Sequence, residues 1–129
     1  MIVTCDDNEV ITDIKIIGGC PGNTQGVAIL WKGRTIDEVI SKLEGNYIEI
    51  PILLMVSLGL RVGEAPGLTW NDIDFNANTI SINRIQVYTA KTGILYKAPK
   101  TQESIRTLTA PIELMNKLKK LKVERNKLI

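Results

Sequence analysis

Apolar positions along this 129-residue chain change period several times, and each change marks an element. Over residues 10–17, β-branched side chains nearly alternate with polar ones and stop at Gly18-Gly19, which predicts a strand closed by a turn. Residues 2–5 can pair back onto it across Asp6-Asp7-Asn8. After Pro21-Gly22-Asn23, Val27, Leu30 and Trp31 recur at helical spacing and predict a short helix over 24–32 that stops at Gly33. Thr35 has the chemistry of an N-cap, Glu38 stands in the capping-box position, and Ile36, Val39, Ile40 and Leu43 make the apolar stripe of a helix running to Glu44.

From Tyr47 the pattern is apolar on all sides, which predicts a buried helix over 47–58, followed after a break at Gly59 by a second helix over about 60–68. A turn at Asn76-Ala77-Asn78 leads into a strand over 79–83, and residues 85–88 continue it or pair back. Thr92-Gly93 turns into residues 94–97, residues 98–103 form a further turn, and 104–108 make the next strand. Pro111 suits the first position of a helix through Lys127, with Ile112, Met115, Leu118 and Leu121 or Lys122 on its apolar side and lysines opposite. The class is α+β: an N-terminal β-hairpin with helices, a buried helix pair, a small antiparallel sheet and a C-terminal amphipathic helix.

Length and an apolar fraction of 44% permit one ordinary core or two small ones. The formal charge of +2 hides an asymmetry. Residues 1–45 carry 4 basic and 7 acidic side chains, and 46–129 carry 12 and 7, so the basic character belongs to the second part. The two cysteines, Cys5 and Cys20, fit reduced thiols and a cytoplasmic setting better than a disulfide framework. The longest apolar run, residues 50–60, is about half of what a bilayer crossing needs, so no membrane partner is expected.

Arg61, read at the end of an apolar helix, is costly to bury without an anionic partner. Glu64, three residues on, could meet it as an internal ion pair. The flanking motifs extend this picture. The entry Gly59-Leu60-Arg61-Val62-Gly63-Glu64, the exit Gly67-Leu68-Thr69-Trp70-Asn71-Asp72-Ile73-Asp74-Phe75 and the later Pro99-Lys100-Thr101 and Ser104-Ile105-Arg106-Thr107 together resemble the tyrosine recombinase, or phage integrase, catalytic domain over about residues 46–129. The resemblance implies that Arg61 grips the scissile phosphate, that the hairpin lysine Lys100 helps to protonate the leaving oxygen, and that Glu64 orients the arginine. Physical chemistry agrees with such a pair: attack on a phosphodiester builds negative charge that a bidentate guanidinium stabilises and that a nearby ammonium can relieve with a proton.

The family also carries a His-x-x-Arg helix and a tyrosine nucleophile. The 129 residues contain no histidine, and Tyr47, Tyr88 and Tyr96 do not stand where that nucleophile does. The segment therefore reads as the first half of such a domain, without strand cleavage of its own. Arg84, Lys91, Lys97 and Arg106 are candidate contacts to DNA phosphates, weak and non-specific, and the basic residues from Lys117 to Lys127 either add to them or form a solvated helix face.

Residues 1–45 are different. The stretch from Ile17-Gly18-Gly19-Cys20-Pro21-Gly22-Asn23-Thr24-Gln25-Gly26 and then from Gly33 to Gly45 resembles the TSCPD family, also found as a C-terminal module of some ribonucleotide reductases. Cys20, at a strand-to-helix turn, is the one thiolate or metal-ligand candidate, but three of the family's four cysteine positions have no counterpart, so no metal or cofactor is expected. The chain reads as a TSCPD-like segment (1–45) joined to an integrase-like segment (46–129), a recombinase-derived protein of DNA integration and recombination. Alternatives are a ribonucleotide-reductase-associated TSCPD protein acting as a thiol or metal module, and a gene-fusion product without function.

Overall fold

The computed structural model describes residues 1–16 and 21–127, with the backbone alone for 21–24. Two compact units divide the chain, Met1–Val62 and Gly63–Ile129. The first therefore takes in more of the chain than the TSCPD-like stretch.

In the first unit, β1 (Ile2–Cys5) and β2 (Ile11–Lys15) form the antiparallel hairpin expected from alternation, with Val3 opposite Ile14 and an irregularity at Thr4/Cys5. The Asp6 carboxylate closes the turn by accepting from the backbone amides of Asn8 and Val10 at 2.9 and 3.0 Å. Helix α1 (Pro21–Trp31) gives way at Gly33, whose φ of 80° is one that glycine adopts without strain. The chain then lies along β2, the Gly33 amide donating to the Ile11 carbonyl and the Ile11 amide to that of Arg34. Helix α2 (Ile36–Leu43) starts with the predicted capping box: the Glu38 amide donates to Thr35 Oγ1 and the Thr35 amide to the Glu38 carboxylate. Its Val39 is buried.

Helix α3 is Glu49–Leu58. Tyr47, expected at its start, stands before it and is 90% exposed. The Gly45 amide donates to the Glu49 carboxylate at 2.9 Å, so the turn before the helix is closed by the helix's own first residue. Leu53, Leu54 and Met55 are buried, and Gly59, left-handed at φ 64°, ends the helix.

The second helix expected over 60–68 is absent. Leu60 and Arg61 are irregular, residues 62–64 form a turn, and a 3-10 turn covers Ala65–Gly67. Proline explains this in part: Pro66 has no amide to donate and sits at the start of the short turn, where none is needed. Packing explains the rest. A Cβ at Gly67 would lie 2.9 Å from the Arg84 carbonyl and one at Gly63 3.0 Å from that of Gln86. The two glycines thus let this segment press against the strand 85–89, where the Gln86 amide donates to the Gly63 carbonyl at 2.8 Å. Gly67→Ala is expected to lose about 1–3 kcal/mol in urea unfolding, because backbone and not a pliable side chain stands in the way.

In the second unit, β3 (Ile73–Asp74), β4 (Thr79–Ile82) and β7 (Arg106–Thr109) make an antiparallel sheet in the order β3-β4-β7. Strand β4 alternates strictly, with Ile80 and Ile82 buried. Strands β5 (Ile85–Thr89) and β6 (Gly93–Lys97) form a separate hairpin, so residues 85–88 pair forward and do not continue β4. Helix α4 (Ile112–Asn126) follows Pro111 and buries Leu114, Met115 and Leu118. Ile112, expected on the apolar side, is exposed, and Leu114 takes its place in the core.

Candidate functional site

Arg61 is exposed and lies in irregular chain, so it is not the buried helical arginine that the apolar run suggested. Its neighbours account for that. Helix α3 has already ended at the left-handed Gly59, Leu60 takes the buried position, and Arg61 follows on the outside. Arg61 closes the first unit, whereas Glu64 and Lys100 belong to the second.

Glu64 is the most buried charged side chain described, at 0% exposure. Both of its oxygens accept from Arg106, Nη1 to Oε1 and Nη2 to Oε2, each at 2.9 Å, and Nη1 also donates to the Ser104 carbonyl at 3.1 Å. This is the planar two-pronged pairing that guanidinium and carboxylate favour. The Glu64 carboxylate raises the Arg106 pKa despite partial burial, holding the arginine charged. Arg106, a candidate phosphate contact in the sequence, is thus 29% exposed and committed to an internal ion pair. A signal for this exists in the strand: Arg106 shares its phase with Leu108, on the less exposed side of β7.

A second polar cluster surrounds Asp72. Its Oδ2 accepts from the Thr69 amide at 2.8 Å and the Thr69 hydroxyl at 2.7 Å, and its Oδ1 accepts from Asn83 Nδ2 at 2.8 Å and Arg84 Nη2 at 3.1 Å. Arg84 Nε donates in turn to Asn83 Oδ1. Burial pushes the Asp72 pKa up, but the donors from Thr69 and Asn83 and the charge of Arg84 together outweigh it and hold the group below the usual carboxylate range. The Thr69-to-Asp74 part of the recombinase-like motif is therefore the brace of a turn, and Arg84 is tied into it.

The candidate lysines Lys91, Lys97 and Lys100 are exposed. Lys91 is exposed in the turn between β5 and β6, and Lys97 is exposed at the end of β6. Lys100 is exposed in the connection from β6 to β7. Those strands belong to different sheets, so Lys100 is not at a hairpin tip, the position that Lys91 occupies. A 3-10 turn follows Lys100 directly, closed by the Ser104 amide on the Thr101 carbonyl and by the hydroxyls of Thr101 and Ser104 at 2.9 Å. On α4, Lys122 Nζ stands 5.2 Å from the Phe75 ring centroid and 6.0 Å from that of Trp70, a cation–π contact that turns it away from the outer face.

Cys20 lies outside the described residues. Cys5 is a free thiol in β1. Among the described residues no group of three or more histidine, cysteine or acidic side chains could hold a metal ion, and no helix is long and apolar enough to cross a membrane.

The chain is similar to two kinds of known protein. Residues 1–50 match the TSCPD domain model. A curated relative, the tyrosine recombinase XerC-like protein of Caldanaerobacter subterraneus subsp. tengcongensis, is 37% identical over 64% of this chain and 24% of its own. The chain thus spans about a quarter of that relative's length. Among solved structures, the Tn1549 transposon integrase bound to transposon right end DNA superposes with a TM-score of 0.61 at 20% identity, over 84% of this chain and 32% of the integrase. The same integrase bound to circular intermediate DNA gives 0.55 at 21% identity, over 78% and 30%. Residues 46–129 are about two thirds of the chain, so a superposition covering 84% of it reaches back into the first 45 residues. The chain is thus similar to the TSCPD family over its first 50 residues and, over 64% of its length, to a tyrosine recombinase.

Proposed function

We propose that this chain serves DNA integration or recombination by holding duplex DNA through its phosphates, with Arg61 and Lys100 as the principal contacts, and that it cleaves no strand by itself. The observation that carries the proposal is the presentation of these two cations. Each matches a recombinase-like motif, each is exposed, and each sits beside a fixed point of its own unit, Arg61 beside the buried Leu60 and Lys100 beside the braced turn at Thr101–Ser104. Lys91 and Lys97 add positive charge at the β5–β6 hairpin. Arg106 and Arg84 act in this reading as supports, through Glu64 and Asp72, more than as contacts.

Binding of this kind is electrostatic, weak and indifferent to sequence. Cleavage is left out of the proposal because Met1–Ile129 offer no histidine, and the three tyrosines stand ahead of α3 or within the β5–β6 hairpin. The test is fluorescence anisotropy with a short duplex at a series of salt concentrations. Arg61→Ala and Lys100→Ala should each weaken binding and each reduce the slope of log affinity against log salt by about one. A nicked suicide duplex should yield no covalent adduct. Affinity and salt slope untouched by both substitutions would refute the proposal.

A further inference from the structure

We infer that the TSCPD-related segment has a positioning role: it supplies the hydrophobic bed that holds α3 and thereby fixes where Arg61 stands. The inference rests on the reading of Arg61 as a phosphate contact, but its structural half can be tested without DNA.

The path from α3 to Arg61 is short, since only Gly59 and Leu60 intervene. Gly59 is left-handed, and among the described residues no atom beyond its chain neighbours comes within 4 Å of where a Cβ would be. A glycine is the least restrained residue for such a joint. The direction of the chain beyond it must come from its neighbours. Leu60 provides one restraint, being wholly buried, with its carbonyl accepting a hydrogen bond from the Met1 backbone nitrogen. Met1 is itself 3% exposed. The residue that precedes β1 therefore reaches the residue immediately before Arg61.

Helix α3 provides the other restraint. Its Ile52, Leu53 and Val56 line an apolar crevice whose opposite wall includes Val3 of β1, Ile11 of β2 and Val39 of α2. A helix apolar on nearly all sides must find cover, and in this unit part of the cover comes from the TSCPD-related hairpin and helix. The superposition on the integrase, at the level of fold, takes in part of the first 45 residues as well. A segment of one ancestry thus fills structural space next to a helix of another, and the side chain that gains a defined position is Arg61.

The test uses the full chain and the variants Ile11→Ala and Ile11→Val. Ile11 is 2% exposed and lies on the far wall of the crevice from α3, so truncation loosens the bed without touching Arg61's own chemistry. By 15N relaxation, the Arg61 amide should have an order parameter near 0.85 in the native chain and fall toward about 0.6 in Ile11→Ala, with a smaller fall in Ile11→Val. If Ile11→Ala fails to fold, the milder variant decides. An Arg61 order parameter unchanged in a folded variant overturns the inference.

A double-mutant cycle on duplex DNA adds the functional half. Ile11→Ala should weaken binding, and combining it with Arg61→Ala should weaken it no further than Arg61→Ala alone, because the first change acts through the second residue. Additive losses overturn the positioning role. If Arg61→Ala leaves affinity unchanged, the DNA-contact reading fails, and the relaxation result still decides whether the TSCPD-related segment orders the Arg61 turn.

Discussion

Arg106→Ala should lower the stability of the second unit by about 3–5 kcal/mol. The cost arises at Glu64, not at the arginine. Glu64 is fully buried, and Arg106 meets both of its oxygens. Removing the guanidinium leaves a carboxylate out of water without those two charge-assisted donors, a far more expensive state than an exposed, solvated glutamate. Arg106→Lys should recover only part of the loss, since one ammonium cannot reproduce two parallel N–H bonds. Glu64→Leu combined with Arg106→Met should regain most of it, because a buried ion pair is roughly matched by apolar side chains that fill its space. Urea unfolding followed at Trp70, which lies in the second unit while Trp31 lies in the first, reads these changes separately for the two units. A loss below about 0.5 kcal/mol in Arg106→Ala would show that the pair is not a structural anchor.

The features legible in the sequence are those settled within a few residues of chain. The Thr35–Glu38 capping box, the β1–β2 hairpin and the start of α4 after Pro111 all follow from local chemistry, and the structure has them. Long-range contacts were harder to read. Nothing near Glu64 announces an arginine 42 residues away. The 60–68 stretch looked helical because its leucines and valine invite a helical period. What decides its shape is the approach of β5, which needs glycine at 63 and 67, together with a proline at 66. The same limit applies to the site. Motif resemblance pointed to Arg61 and Lys100, but the exposure of Arg61 depends on where α3 ends and Leu60 is buried. The inward commitment of Arg84 and Arg106 depends on which acids the fold brings to them, and composition weighs every arginine alike.

Asp72→Ala is expected to destabilise the second unit by about 2–4 kcal/mol, combining the loss of a turn-closing cap with the loss of charge-assisted bonds. Its carboxylate gathers Thr69, Asn83 and Arg84 from both sides of the sheet's first hairpin, so its removal frees three groups at once. Asp72→Asn separates charge from shape: the amide can keep some of these acceptor bonds but not the attraction to Arg84. The pH dependence gives the more telling measurement. The folded pKa of Asp72 lies below its unfolded value of about 3.8, so the native state gives up this proton at lower pH than the unfolded chain does. Its contribution is therefore complete above the unfolded value and drains away as pH falls through the folded one. Asp74 is shifted in the same direction by the Ala77 and Asn76 amides and works in the same acid range, so the absolute stability curve mixes the two. The difference between the native chain and Asp72→Asn isolates Asp72. That difference should be constant from neutrality down to about pH 5 and shrink below about pH 4. A difference that stays level into strong acid would mean that Asp72 is held by shape alone and that its ionised form gains nothing from Thr69, Asn83 and Arg84.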